Sequence, residues 1–187
     1  MLGSKPPSHR GDRAQGGGSV IELGVHHYDL WSYLLGSPVA DVTAVTRSVF
    51  MHDQSTVVAG CMATGELVTT CISLCATEQY EIEVLGSAAR ARASLYRYDG
   101  FEVMQIGETA GDARARATEL WRSMAGFPNA LRALRHGGDF LESFRGLWGH
   151  LADCILGDRT PGPDLKAGLD SLSVAFAVSE VARVAPK

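Results

Sequence analysis

Gly16-Gly17-Gly18-Ser19-Val20-Ile21-Glu22-Leu23-Gly24-Val25-His26-His27-Tyr28-Asp29-Leu30-Trp31 is a glycine run that opens a helix with a polar stripe. From Ser19 to Leu35 the spacing predicts one helix, with Ser19 as its N-cap and Gly36 as its stop. At about 100° per residue, Glu22, His26, Asp29 and Tyr33 fall in one stripe of roughly 60°. The remaining circumference is almost wholly apolar: Val20, Ile21, Leu23, Val25, Tyr28, Leu30, Trp31, Leu34 and Leu35. A helix of that kind is expected to be buried. Its acid, imidazole, second acid and phenol then sit inside the protein or on a cleft wall, where they must pair or face a ligand. Acid–base chemistry belongs on such a stripe.

Outward from this helix the chain reads as α, then β, then α. Six strands are expected, at about Val39–Phe50, Thr56–Ala63, Glu66–Ala76, Glu78–Leu85, Ala89–Tyr96 and Phe101–Ile106. Alternation is clean in two of them. Tyr80, Ile82 and Val84 oppose Glu81 and Glu83; Ala89, Ala91, Ala93 and Leu95 oppose Arg90, Arg92, Ser94 and Tyr96. Thr64-Gly65, Gly86-Ser87 and Asp99-Gly100 punctuate them, and links this short imply antiparallel pairing. Asp112 to His136 reads as two helices broken at Pro128. Asp139 is the expected cap of a helix over Phe140–Leu156, and Asp164 of a last one to about Val184. The fold class is therefore α+β: an open, predominantly antiparallel sheet of about six strands with helices on one face. Residues 1–18 form a flexible or partly ordered lead, and 19–187 a single domain.

Composition narrows the function. A chain of 187 residues buries roughly 70% of its unfolded surface, enough for a core without staples. A net charge of −4 gives no field for nucleic acid or an anionic membrane surface. No apolar run approaches the ~20 residues of a membrane span, and residues 1–18 are too polar for a signal peptide. Cys61, Cys71, Cys75 and Cys154 lack C-x-x-C spacing and read as buried free thiols, which favours a reducing cytoplasm. Arg114, Arg116, Arg122, Arg132 and Arg135 have acidic neighbours in Asp112 and Glu119 and read as solvated helix faces rather than a phosphate site.

Each stripe residue has a structural alternative. Glu22 complements the helix dipole from the first turn. His26 is either a satisfied core histidine or a group in proton transfer. Asp29 either meets substrate or hydrogen-bonds to hold the helix. Tyr33 either lines the site or buries its ring with a satisfied hydroxyl. His27, on the apolar side, reads as structural. Glu22, His26 and Asp29 have passable spacing for a metal, but no second segment supplies a further ligand.

The pattern G-G-G-x-x-x-[D/E]-x-G-x-H-x-x-D resembles the start of the C-terminal domain in the glucose–fructose oxidoreductase and inositol dehydrogenase family. The strand-rich middle, Gly137-Gly138-Asp139-Phe140, the helix with Trp148 and the final helix resemble that domain in order and spacing. In this family an N-terminal Rossmann domain binds NAD or NADP, and the C-terminal domain supplies substrate contacts and usually an oligomer interface. The resemblance implies catalytic roles for Glu22 and His26, working with a lysine of the Rossmann half on a sugar or polyol hydroxyl. Glu22 stands where aspartate is commoner. It further implies substrate contacts at Asp29 and Tyr33, a small polyhydroxylated or carbonyl substrate, and a homodimer through the sheet. No G-x-G-x-x-G turn between a buried strand and a helix occurs in the sequence, and no Walker-type phosphate loop. On the resemblance, the chain starts beyond the Rossmann half, as a truncated, processed or stand-alone version does. It binds no cofactor by itself, and NAD or NADP enters only with a Rossmann-domain partner. Two other functions stay open: a non-redox lyase, isomerase or cyclase using Glu22 and His26 as acid and base, and a non-catalytic dimeric binding protein.

Overall fold

The computed structural model describes residues 11–77, 79–94, 100–107, 111–135, 138–162 and 164–185. They divide into two compact units, 1–76 with 162–187, and 77–161. The class is α+β as expected, but the strands form two sheets, of four and of three, rather than one. The first meander ends in a turn at Leu74 and Cys75, and the strand after it pairs with the one that follows in sequence.

In the first unit a turn at Arg13–Gln15 and a π-helical turn at Ser19–Leu23 lead into α1 (Gly24–Leu35). Strands β1 (Val39–Arg47), β2 (Ser55–Met62) and β3 (Leu67–Ser73) follow as an antiparallel meander. The register aligns Val45 with Val57 and Val57 with Cys71. Alternation sorts the side chains: Ala44, Thr46, Thr56, Val58, Met62, Val68, Thr70 and Ile72 turn inward and are buried. Helix α1 lays Tyr28 and Trp31 on that face, and the last helix brings Ala175 and Val178. Val20 and Val58 complete the centre of this core. Gly36 closes α1 in the left-handed conformation, as expected, its N–H donating to the Ser32 carbonyl at 2.9 Å.

The second unit holds β4 (Glu81–Leu85), β5 (Ala89–Ser94) and β6 (Phe101–Gln105), again an antiparallel meander. Its charged face is zipped by Arg92–Glu81 at 2.6 Å, Arg90–Glu83 at 3.4 Å and Arg90–Glu102 at 3.3 Å. Two helices follow, α2 (Ala113–Arg135) and α3 (Gly138–Leu156). The break expected at Pro128 is absent, and α2 runs through it. The proline removes the hydrogen bond to the carbonyl four residues earlier, at Met124. Met124 is solvent-exposed, so that carbonyl is freed at a wet surface rather than in a core. The capping side chain expected at Asp139, and parts of the expected β5 and its turn at Asp99, lie outside the described residues.

The chain re-enters the first unit with α4 (Leu165–Val181), where Asp164 accepts from the Ala167 N–H at 2.9 Å as the expected cap. Helix α4 stops at Val181, short of the expected Val184, because Arg183–Val184 (β7) pairs in parallel with Val45 and Thr46. The thiols are less hidden than expected: Cys154 is buried, but Cys71 and Cys75 are exposed. Cys71 lies on the outer face of β3, and Cys75 falls past its end. No helix among the described residues is long and apolar enough to cross a membrane.

The start of α1 is pinned from the β1–β2 turn. Asp53 is buried and takes Arg13 in a two-pronged ion pair, Nε at 2.7 Å and Nη2 at 2.5 Å. Its backbone carbonyl accepts the Ser19 N–H at 2.9 Å. Asp53 itself stands at φ 46°, a conformation tolerated mainly by Asp, Asn and Gly. Asp53→Ala is expected to cost about 2–4 kcal/mol, through the lost pair and the strained backbone. Asp53→Asn keeps the backbone preference and is expected to cost less, and urea unfolding of the two variants checks the order.

Candidate functional site

The helix expected over Ser19–Leu35 opens with a wider turn than the sequence suggests. The Gly24 N–H reaches the Ser19 carbonyl, five residues back, as well as that of Ile21. Ser19 is therefore not an exposed N-cap; that place falls to Gly18, with no side-chain cap. Ser19 is fully buried, with its N–H on Asp53 and its hydroxyl sharing a 2.6 Å hydrogen bond with Thr56. Held from outside, the first turn cannot close to regular α geometry. Single π turns of this kind recur at functional sites.

The stripe residues differ in burial. Glu22 is half-buried within the turn. His26 is exposed, so the reading of a satisfied core histidine does not hold. Asp29 is half-buried and accepts from the Ser171 hydroxyl of α4 at 2.9 Å, which fastens α1 to α4. Tyr33 is 78% exposed, so the alternative of a buried ring does not hold. Helix α1 as a whole is buried on one side only, through Gly24, Tyr28 and Trp31 at i, i+4, i+7 spacing.

Gly24 has a packing reason. A Cβ there would lie 2.6 Å from the Tyr28 hydroxyl and 2.8 and 2.9 Å from its ring carbons. Helical side chains lean toward the N-terminus, so Tyr28 lies back over position 24. The Tyr28 hydroxyl is buried and has no hydrogen-bond partner among the described residues. Burial, reinforced by the Asp53 charge, pushes its ionisation far above the ordinary phenol range. His27, read as structural, faces Thr70 of β3, with Nδ1 and the hydroxyl 2.8 Å apart. Burial, with the neighbouring His26, holds its imidazole below the usual histidine range.

A groove of about 590 Å³ lies between the end of α1, the start of β1 and α4. Asp29 and Tyr33 line it; Glu22 and His26 do not. The four stripe residues therefore divide into two pairs, Glu22 and His26 at the π turn and the start of α1, Asp29 and Tyr33 farther along the helix. Ser171 and Lys166 on the groove wall went unnoticed in the sequence, because nothing in it places residue 171 beside residue 29. No group of three or more His, Cys, Asp or Glu among the described residues is arranged to hold a metal ion.

Residues 4–183 match the family described as "Oxidoreductase family, C-terminal alpha/beta domain", and the chain belongs to it. No curated protein sequence matches. Among solved structures, an NAD binding oxidoreductase from Klebsiella pneumoniae is similar at TM-score 0.70 and 18% identity, over 94% of this chain and 52% of that one. The WlbA dehydrogenase from Bordetella pertussis, in complex with NADH and UDP-GlcNAcA, is similar at TM-score 0.62 and 19% identity, over 94% and 48%. GenD2 from gentamicin A biosynthesis, in complex with NAD, gives TM-score 0.63 and 18% identity, over 95% and 50%. The chain spans about half the length of these structures. With 4–183 taken up by the C-terminal domain, none of this sequence is left to form a nucleotide-binding half.

The lowered His27 basicity sets the sign of one pH effect. Below about pH 6.5 the unfolded chain takes up a proton that folded His27 resists, so its contribution to stability falls as the pH drops toward the lower folded value. His27→Gln, which keeps a polar partner for Thr70, is expected to flatten the loss of melting temperature between pH 7.5 and pH 5.5 (both ~). An unchanged slope assigns the acid sensitivity to other groups.

Proposed function

We propose that this chain is the substrate-binding and oligomerisation half of a sugar- or polyol-type NAD(P)-dependent oxidoreductase, without redox turnover until a nucleotide-binding domain meets it. The match of residues 4–183 to the family's C-terminal domain carries this reading. Oxidising a carbinol removes a hydride and a proton. A nicotinamide held by the other half takes the hydride when bound. The proton is the business of this chain. His26 presents an exposed imidazole just after the π turn, open to a ligand from solvent, and takes the hydroxyl proton as general base. Glu22, in the turn before it, orients the imidazole and offsets its positive charge. Asp29 holds α1 through Ser171 and so fixes the direction in which His26 points.

The outer face of the first sheet supports a homodimer. Across β1, β2 and β3 it presents Thr43, Ala59 and Thr69 in one row and Val45, Val57 and Cys71 in the next. Small, uncharged residues in register make a flat surface that a second copy packs against. Free thiols, two of them exposed, fit a reducing compartment.

The test is the chain alone against the chain with its partner. Purified alone, it is expected neither to bind NADH nor to reduce NAD(P)⁺ with nucleotide sugars, free sugars or polyols. Native mass spectrometry of the endogenous protein is expected to find a nucleotide-binding partner that restores reduction. In that complex His26→Ala is expected to lower kcat by about 10²-fold or more with the melting temperature unchanged. Turnover of any substrate by the chain alone, without nicotinamide, would point instead to a lyase or isomerase. Full activity in both His26→Ala and Glu22→Gln would remove the acid–base roles. Val57→Arg is expected to convert the dimer to monomer in sedimentation experiments.

A further inference from the structure

Strand β1 is paired along its whole length on one side, by β2, but on the other side only at Val45 and Thr46, by β7. Among the described residues, no strand lies beside Val39–Ala44 on that second side. This open stretch borders the groove. Pro38, Val39, Ala40, Asp41 and Val42 all line it, a consecutive run across the bulge at Ala40 that shows the groove the edge of the strand as well as its face. The opposite wall is α4, whose Ala167, Ser171 and Val174 are too small to fill the space between helix and strand. An unpaired strand edge facing a helix across a gap is the geometry that accepts an extended peptide as an added strand.

We propose that this groove binds an extended polypeptide segment bearing a lysine or arginine, as an additional strand on β1. The charge of the groove selects the partner. Asp29, Asp41 and Asp170 line it against one cation, Lys166, and that ammonium is already paired with Asp170. Asp29 is held by the Ser171 hydroxyl alone, and Asp41 is exposed; neither has a cationic partner among the described residues. Val39, Val42 and Val174 offer an apolar surface to the residues that alternate with the basic one. A bulge at Ala40 shifts the β1–β2 register between Val39 and Asp41, so the incoming strand pairs beyond the bulge, at Asp41 and Val42, which line the groove. The site is distinct from Glu22 and His26, and it stands whether or not the redox reading does.

Selection from a phage-displayed random octapeptide library on the intact chain tests this. Enriched sequences are expected to place Lys or Arg among β-branched residues. A synthetic version is expected to bind in calorimetry and to lose binding when alternate backbone nitrogens are methylated, since methylation removes ladder donors. Asp41→Lys is expected to weaken binding at least tenfold, and Ala167→Trp, which fills the groove, to abolish it. Should Ala167→Trp fail to fold, Asp41→Lys and the methylated peptide carry the test alone. No enrichment, or equal affinity of the methylated peptide or of Asp41→Lys, overturns the proposal.

Discussion

The buried carboxylate of Asp53 holds the first unit in order. It draws Arg13 down onto the β1–β2 turn, and its carbonyl fixes Ser19. Gly18 passes so close that a Cβ would meet the Asp53 Cβ at 3.1 Å, and its φ of 90° is costly for any other residue. The glycine run is thus a tight crossing over an ionic anchor. A buried pair of this kind adds little net stability against a well-packed apolar alternative, but removing one partner leaves an expensive charge behind. Its effect here is positional: it fixes where the helix begins, and so where the π turn falls.

From that anchor the three sides of α1 follow. One side packs Tyr28 and Trp31 into the core, their rings 5.3 Å apart. A second meets β3 through His27 and Thr70, and a third meets α4 through Asp29 and Ser171. What is left faces solvent, and His26 and Tyr33 lie there. The exposure of His26 is therefore a remainder, set by three contacts made by its neighbours. The same division separates the start of the helix from its later turns, so that a single polar stripe in sequence serves two places in space.

Much of the fold was legible because its signals are local. All six strands expected from alternation and turn residues are present, and Gly36 and Asp164 end and begin helices as their chemistry dictates. Misread features depend on distant partners. The π turn is imposed by Asp53 and Thr56, more than thirty residues away. The two-residue β7 is too short to have a pattern. Pro128 costs the helix less where the freed carbonyl can turn to water, and exposure is not written in a single residue. For the candidate site, the residue types on α1 could be picked out, and the structural role of His27 too. The grouping of Asp29 with Ser171 and Lys166 could not, since it arises from the return of α4.

That return bears on how the protein is made. The hydrogen bond between Asp29 and Ser171 joins residues 142 positions apart, whereas the second unit is one continuous stretch, 77–161. On the ribosome the second unit is complete before α4 has been synthesised, and the first must wait, its sheet lacking the cover of Ala175 and Val178. The half that carries His26 is thus the last to mature. Until then its nascent meander offers bare apolar strands to whatever chaperone or neighbouring chain is at hand.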